Sequence, residues 1–172
     1  MIKQLQEYLE KYTSEWIENR GTYPMVPYDE EESRLYFGQV NEDDYIQWKY
    51  EKNNIEVDFS KIEQRLGYLL NNEVKEYYQS FLFLDLQGFF NGSLVVLYLI
   101  DEFTNIENLF WYGIENDLTY GIQIGHYGSM ELPLYVNFKE GYLFTYDFEK
   151  EDECKICDSL TVFFQLLKTS KS

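Results

Sequence analysis

Cys154 and Cys157 flank Lys155-Ile156, the spacing at which two thiolates can share a zinc ion or cycle through a disulfide. A structural zinc site needs four ligands, and the chain offers no second cysteine pair and one distant histidine, His126. A strand over residues 153–157 would put the two thiols on opposite faces, which disfavours a shared metal and a disulfide alike. A thioredoxin-like site would want the pair entering a helix after a βαβ unit, and the helical pattern here begins too late. No metal and no cofactor is expected. His126, between Gly125 and Tyr127-Gly128, reads as a loop residue with a turn or surface role, because no Ser or Cys motif supplies the partner that general-base work requires. Gly121, Gly125 and Gly128 neither follow a parallel strand nor open a helix, so they do not form a phosphate-binding fingerprint. The chain does not read as an enzyme.

Carboxylates recur in Asp29-Glu30-Glu31-Glu32, Glu42-Asp43-Asp44 and Glu149 to Glu153. They are too abundant to single out an acid/base pair, and most are expected to be solvated. Their collective use is attraction. The formal charge is −17, from 31 Asp plus Glu against 14 Lys plus Arg, and such a surface repels phosphate backbones and anionic lipid headgroups while drawing in basic protein. Neither nucleic acid nor direct lipid insertion is expected. The plain alternative is an acidic surface that only confers solubility. Tyr28, Tyr36, Tyr45 and Trp48 interleave the first two clusters, adding flat surface for packing or cation–π contact with Lys and Arg. The candidate partner-binding surface is therefore Tyr28, Asp29, Glu30, Glu31, Glu42, Asp43, Asp44, Tyr45 and Trp48, although a strand tryptophan is more often core.

These residues need a fold to hold them. With 45% hydrophobic and 19% aromatic residues in 172, the chain is no disordered acidic tail. No Pro/Gly/Ser-rich stretch divides it, and a single domain over residues 1–172 is expected. Leu94 to Ile100, the longest apolar run, is too short to span a bilayer. The N-terminal residues lack the apolar run of a secretory signal and two cysteines make no disulfide framework, so a cytoplasmic location is expected.

Ile2, Leu5, Leu9, Tyr12 and Trp16 recur at steps of three and four, predicting a helix that ends at Gly21. Tyr23 to Tyr28, with Pro24 and Pro27, reads as a connecting arm. Residues 34–40 and 44–50 predict a hairpin around Asn41-Glu42-Asp43. Ser60 and Glu63 have capping-box spacing ahead of a helix burying Ile62, Leu66, Leu69 and Leu70, and a short helical turn over Glu73 to Ser80 follows. Residues 81–87 and 94–99 predict central strands with Asn91-Gly92 between them. Asp101 is a candidate cap for a helix carrying Phe103, Ile106 and Phe110. Strands are expected over 120–124, 134–138 and 142–148, and Asp158 or Ser159 caps a last helix with Leu160, Phe163, Phe164 and Leu167 on one face. Trp16, Phe163 and Leu167 should be buried. The sum is an α+β domain, sandwich-like, with a mainly antiparallel sheet flanked by helices.

Several short motifs follow one another in order: Glu7-Tyr8 through Glu18-Asn19-Arg20-Gly21, Tyr23-Pro24, Tyr28-Asp29-Glu30-Glu31, Tyr45-Ile46-Gln47-Trp48, Asp58-Phe59-Ser60 with Ile62-Glu63, and Asn72 to Tyr78. Their order resembles the Syd family of SecY-interacting proteins. Ile106-Glu107-Asn108-Leu109 and Asp158 to Phe164 fall where that family has its central and last helices. The resemblance implies a fold of the SUKH superfamily and a cytosolic protein without catalysis. It implies docking of an acidic concave surface on the basic cytoplasmic loops of the SecY translocation channel, hence peripheral association with the inner face of the plasma membrane. The same superfamily contains immunity proteins that neutralise basic, often nuclease, toxins, and an acidic groove would serve that role too. The sequence departs from the family pattern in Phe81 to Phe90 and in Ile122 to Leu132.

Overall fold

The computed structural model describes residues 1–30, 33–115, 121–129, 131–148 and 150–171. Its first element is the expected helix, α1 (Ile2–Arg20), which buries Leu5, Tyr8, Leu9 and Tyr12 and stops where Gly21 takes a left-handed conformation and donates its N–H to the Ile17 carbonyl. Trp16 departs from expectation. It is only half-buried, with the Arg20 guanidinium 4.2 Å from the ring centroid, so a cation covers the face that the core does not.

Strands β1 (Met25–Pro27), β2 (Tyr36–Phe37) and β3 (Tyr45–Trp48) form an antiparallel sheet in the order β1-β3-β2. The hairpin of β2 and β3 is the one expected, with shorter strands. The proline-bearing arm is a strand: Val26 pairs with Ile46 and Pro27 with Tyr45. Proline is accepted there because β1 lies at the sheet edge, where a missing N–H costs no ladder bond. Asn41 shapes the turn, its Oδ1 accepting the N–H groups of Asp43 and Tyr45 at 3.0 and 2.8 Å.

The short pair β4 (Glu51–Lys52) and β5 (Phe81–Leu82) brackets α2 (Ser60–Leu66) and α3 (Asn72–Ser80). The expected capping box is absent from α2. Asp58 Oδ1 accepts the Ser60 N–H at 2.9 Å, while Glu63 turns away to accept the Leu70 N–H at 3.0 Å and to pair with Lys75. Ile62 and Leu70 are buried as expected, but Leu69 is 75% exposed. In α3 the Asn71 side chain caps the Glu73 N–H at 2.8 Å.

Six strands then run as an antiparallel meander: β6 (Leu86–Phe90), β7 (Ser93–Leu97), β8 (Gly121–Tyr127), β9 (Leu132–Asn137), β10 (Leu143–Asp147) and β11 (Asp152–Cys157). Asn91 and Gly92, both at positive φ, make the two-residue turn between β6 and β7. Tyr120, the expected start of β8, lies outside the described residues. Between β7 and β8 runs α4 (Ile106–Glu115), and α5 (Leu160–Leu166) closes the chain with Ser159 Oγ accepting the Val162 N–H at 3.2 Å. Phe103, expected on the buried face of α4, precedes that helix and is 59% exposed.

Helices α1, α3 and α5 pack on one another, joined by Tyr8 to Phe164 at 6.3 Å and Tyr77 to Phe164 at 6.0 Å, while Phe90 of β6 meets Phe163 at 5.1 Å and ties α5 to the sheet. Phe163 and Leu167 are buried, as expected. One hydrophobic cluster runs from Leu5 to Leu167. Each fully buried large side chain in it contributes about 1.5–3 kcal/mol. The fold is mixed α+β with antiparallel sheets, and among the described residues no helix is long and apolar enough to cross a membrane.

Candidate functional site

The two acidic stretches of the first hairpin region meet in space. Because β1 pairs with β3, the chain leaving β1 runs beside the chain entering β3, and the Tyr28 N–H donates to the Asp44 carbonyl at 2.7 Å. Asp29, Glu30, Glu42, Asp43, Asp44 and Tyr45 are exposed and Tyr28 is half-buried against Tyr36, ring centroids 6.0 Å apart. Glu31 and Glu32 lie outside the described residues. Trp48 does not belong to this surface. It is 1% exposed and packs against Tyr12 at 6.5 Å, because its position in β3 alternates with exposed Tyr45 onto the core side.

A third acidic segment, not singled out by the sequence, joins them. Burial holds the Tyr36 phenol above its ordinary range; a hydrogen bond with the Asp29 backbone works against this, and the negative charges of Asp29 and Asp101 add to it. Asp101 opens the turn between β7 and α4, where its Oδ1 accepts the Phe103 N–H at 3.1 Å and the Thr104 hydroxyl at 2.8 Å. Glu102 reaches back to the hairpin region, accepting the Ser33 hydroxyl at 3.1 Å and the Arg34 N–H. Its partial burial raises the carboxyl pKa. The hydrogen bonds from Arg34, its own backbone and Ser33, with the Arg34 charge, outweigh that and leave it below the ordinary range.

Next to this junction lies an open groove of about 460 Å³ between the segment before α2 and the start of α4. Glu56, Asp101, Glu102 and Glu107 line it together with Ile55 and Phe103, both exposed. Glu56 and Glu107 make no ion pair or hydrogen bond among the described residues. Four carboxylates around exposed apolar side chains suit a cation carried on an aliphatic stem, as in Lys and Arg. A sequence signal existed in Asp101-Glu102-Phe103, an aromatic between acids, but only the fold brings it to Asp29.

The other sequence candidates fall elsewhere. Cys154 is exposed and Cys157 buried at the end of β11, but the opposite-face expectation fails: a register shift between them leaves Cys154 opposite Thr145 and Cys157 opposite Leu143, two residues on one face of β10, because the bulge adds a residue to the strand. Among the described residues no group of three or more His, Cys, Asp or Glu is arranged to hold a metal. His126 is in β8, not a loop: its Nε2 is 2.8 Å from the Tyr98 hydroxyl and its Nδ1 is 3.0 Å from the Glu131 carbonyl. Gly125 beside it serves strand approach, since a Cβ there would lie 2.0 Å from the Val96 carbonyl oxygen. In the third acidic cluster Glu149 lies outside the described residues, and Glu151, Asp152 and Glu153 are exposed on the far edge strand or its turn.

A protein-family model described as Syd protein (SUKH-2) matches residues 2–109. The matched stretch contains α1, the three-stranded sheet and the acidic segments around Asp29, Asp44 and Asp101. No curated protein matches the chain.

Proposed function

The chain belongs to the Syd (SUKH-2) family, and from that premise we propose that it is a non-enzymatic binding protein whose acidic groove docks on the basic cytoplasmic loops of the SecY channel. The observation that carries this reading is the groove lined by Glu56, Asp101, Glu102 and Glu107, which Glu102 ties to the hairpin region through Ser33 and Arg34, near the stretch where Tyr28 beside Asp29 bonds Asp44. Long-range attraction would orient the partner, and aromatic surface at Tyr28, Tyr45 and Phe103 would hold it. Glu30, Glu42 and Asp43 extend the surface in this proposal. The protein then works in the cytoplasm, held at the membrane by its partner, as one domain over residues 1–172. The single hydrophobic cluster from Leu5 to Leu167 supports that unity.

The test is kinetic. Binding to detergent-solubilised SecY is measured for the wild type, for Asp29→Asn/Glu30→Gln/Glu107→Gln, and for a control neutralised at Glu18, Glu151 and Asp152. The groove variant should lose on-rate and salt sensitivity, and the control should bind like the wild type. Raising salt from about 50 to 500 mM shrinks the Debye length from roughly 14 to 4 Å, so indifference of wild-type binding to that change overturns the reading. Failure to bind SecY, with tight capture of a basic toxin from the same cell, assigns the groove to immunity instead.

A further inference from the structure

The six-stranded sheet ends differently at its two edges. The β6 edge is closed, since Phe89 and Lys168 exchange both backbone hydrogen bonds, at 2.6 and 2.9 Å. The β11 edge is open. That strand has six residues and no proline, and among the described residues it makes no backbone hydrogen bond outside its ladder with β10. Backbone groups left unpaired along such an edge are a template for another strand. We propose that the strand pairing there is β11 of a second copy of this chain, antiparallel and centred on Cys154. None of the residues lining the acidic groove lies on β11, so the pairing uses a different surface from SecY docking and does not depend on it.

Charge in register selects this occupant. Charged side chains usually guard an open edge, but Glu153 and Lys155 do not guard this one against itself. They stand opposite Tyr146 and Phe144, alternate residues of β10, and so share one face of the strand. On that face the Tyr142 hydroxyl donates to Glu153 Oε1 at 3.0 Å, and Lys155 Nζ lies 5.2 Å from the Tyr142 ring centroid. The bulge of the ladder falls beyond Lys155 and leaves these positions regular. A two-fold axis at Cys154 sets each Glu153 opposite the Lys155 of the other copy, two opposite-charge cross-strand pairs that favour pairing. Centring the pair on Glu153 or Lys155 instead sets like charges opposite each other. Lys155 also pairs with Asp158 of its own chain at 2.7 Å, an exposed contact that costs little to exchange. The formal charge of −17 opposes association. At about 0.15 M salt the Debye length is ~8 Å, so the charges that act most strongly are those facing each other across the contact.

The test is sedimentation equilibrium of the full-length chain at that salt, with protein raised to about 1 mM. The wild type should show a monomer–dimer equilibrium. Glu153→Lys and Lys155→Glu each set like charges opposite one another and should each weaken it at least about tenfold. Glu153→Lys does so while making the net charge less negative, so its effect cannot come from overall repulsion. The double exchange Glu153→Lys/Lys155→Glu restores opposite signs and should return the dissociation constant to within about threefold of wild type. Both side chains are exposed, so urea midpoints should stay close to wild type. Opposed residues of an antiparallel pair have Cα atoms about 4.5–5.5 Å apart, within disulfide range. Diamide, which takes up the two thiol hydrogens, should therefore join wild-type chains through Cys154, in yields that follow the same order, and should not join Cys154→Ser chains. Monomer at every concentration overturns the proposal. A dimer indifferent to both single reversals, or one that the double exchange does not restore, overturns the register and the edge alike.

Discussion

The Tyr28 N–H and the Asp44 carbonyl, 2.7 Å apart, join two acidic stretches that are sixteen residues apart in sequence. Asp44 holds this place at φ 60, a left-handed backbone that Asp tolerates and that glycine adopts freely. Asp44→Gly should therefore stay within about 1 kcal/mol of wild-type stability, whereas the β-branched Asp44→Val should lose about 1–2 kcal/mol. Urea unfolding midpoints decide between equal and unequal effects, and equal losses would mean that the backbone at this turn is not strained.

Trp48 separates core from surface in β3. Trp48→Ala should cost about 3–5 kcal/mol, since the ring is fully buried. Tyr45→Ala, three residues earlier and exposed, should change stability by about 0.5 kcal/mol or less. Trp48→Phe should cost less than Trp48→Ala, because the buried indole N–H has no hydrogen-bond partner among the described residues and a ring of similar shape still fills most of the site.

What was legible in the sequence was local. The stripe of α1, the Ser159 cap and face of α5, and the Asn91-Gly92 turn each arise from residues within a few positions of one another, where periodicity and φ preference act directly. Strand β1 was hidden because its prolines argue against a ladder and only its edge position beside β3 reverses that argument. Strand β11 was visible only through its cysteines: as an edge with four exposed residues in succession it carries no apolar alternation. His126 was misread because Gly125 resembles a turn signal, while its actual reason is the Val96 carbonyl of the neighbouring strand. Half the site was legible for the same reason. Asp29 and Asp44 sit in conspicuous acidic runs, but Asp101 and Glu102 join them only through Ser33, Arg34 and Tyr36, more than sixty residues away.

Gly88 is fixed by close approach. A Cβ there would stand 2.2 Å from the Tyr8 hydroxyl, 2.9 Å from Leu167 Cγ and 2.9 Å from the Lys168 carbonyl oxygen, where the Tyr8 hydroxyl also donates to the Gln87 carbonyl at 2.7 Å. Gly88→Ala should destabilise by about 1–3 kcal/mol through overpacking. Adding Tyr8→Phe removes the nearest atom, so the double variant should lose less than the sum of the single losses. Strict additivity in urea would show that the hydroxyl is not the obstacle.

Glu102 gives a pH dependence of definite sign. Its carboxyl is held below the ordinary range in the folded chain, so its contribution is fully present above the unfolded value of about 4.3 and is lost as pH falls through the folded value. Wild type should exceed Glu102→Gln in stability at neutral pH, and the gap should close as acidification carries the carboxyl through its lowered folded value. A gap that is constant with pH would mean that the charge of Glu102 does not contribute.

The two thiols should react in sequence. Cys154 is exposed on β11, whereas Cys157 is 7% exposed, lies near the Ser159 carbonyl with Sγ at 3.6 Å, and has its thiol pKa raised, chiefly by burial. Since the thiolate is the nucleophile, both access and ionisation retard Cys157. Intact-mass spectrometry after iodoacetamide at about pH 8, just below the ordinary thiol pKa, should show one adduct, mapped to Cys154, and the second only after denaturation. Addition of a zinc chelator should leave this order and the unfolding midpoint unchanged, because a structural zinc needs four ligands and, among the described residues, no group of three or more His, Cys, Asp or Glu is arranged to hold a metal. Simultaneous modification of both cysteines in native protein would mean that the end of β11 opens readily. Protection of both until chelator is added would mean that the pair holds a metal after all.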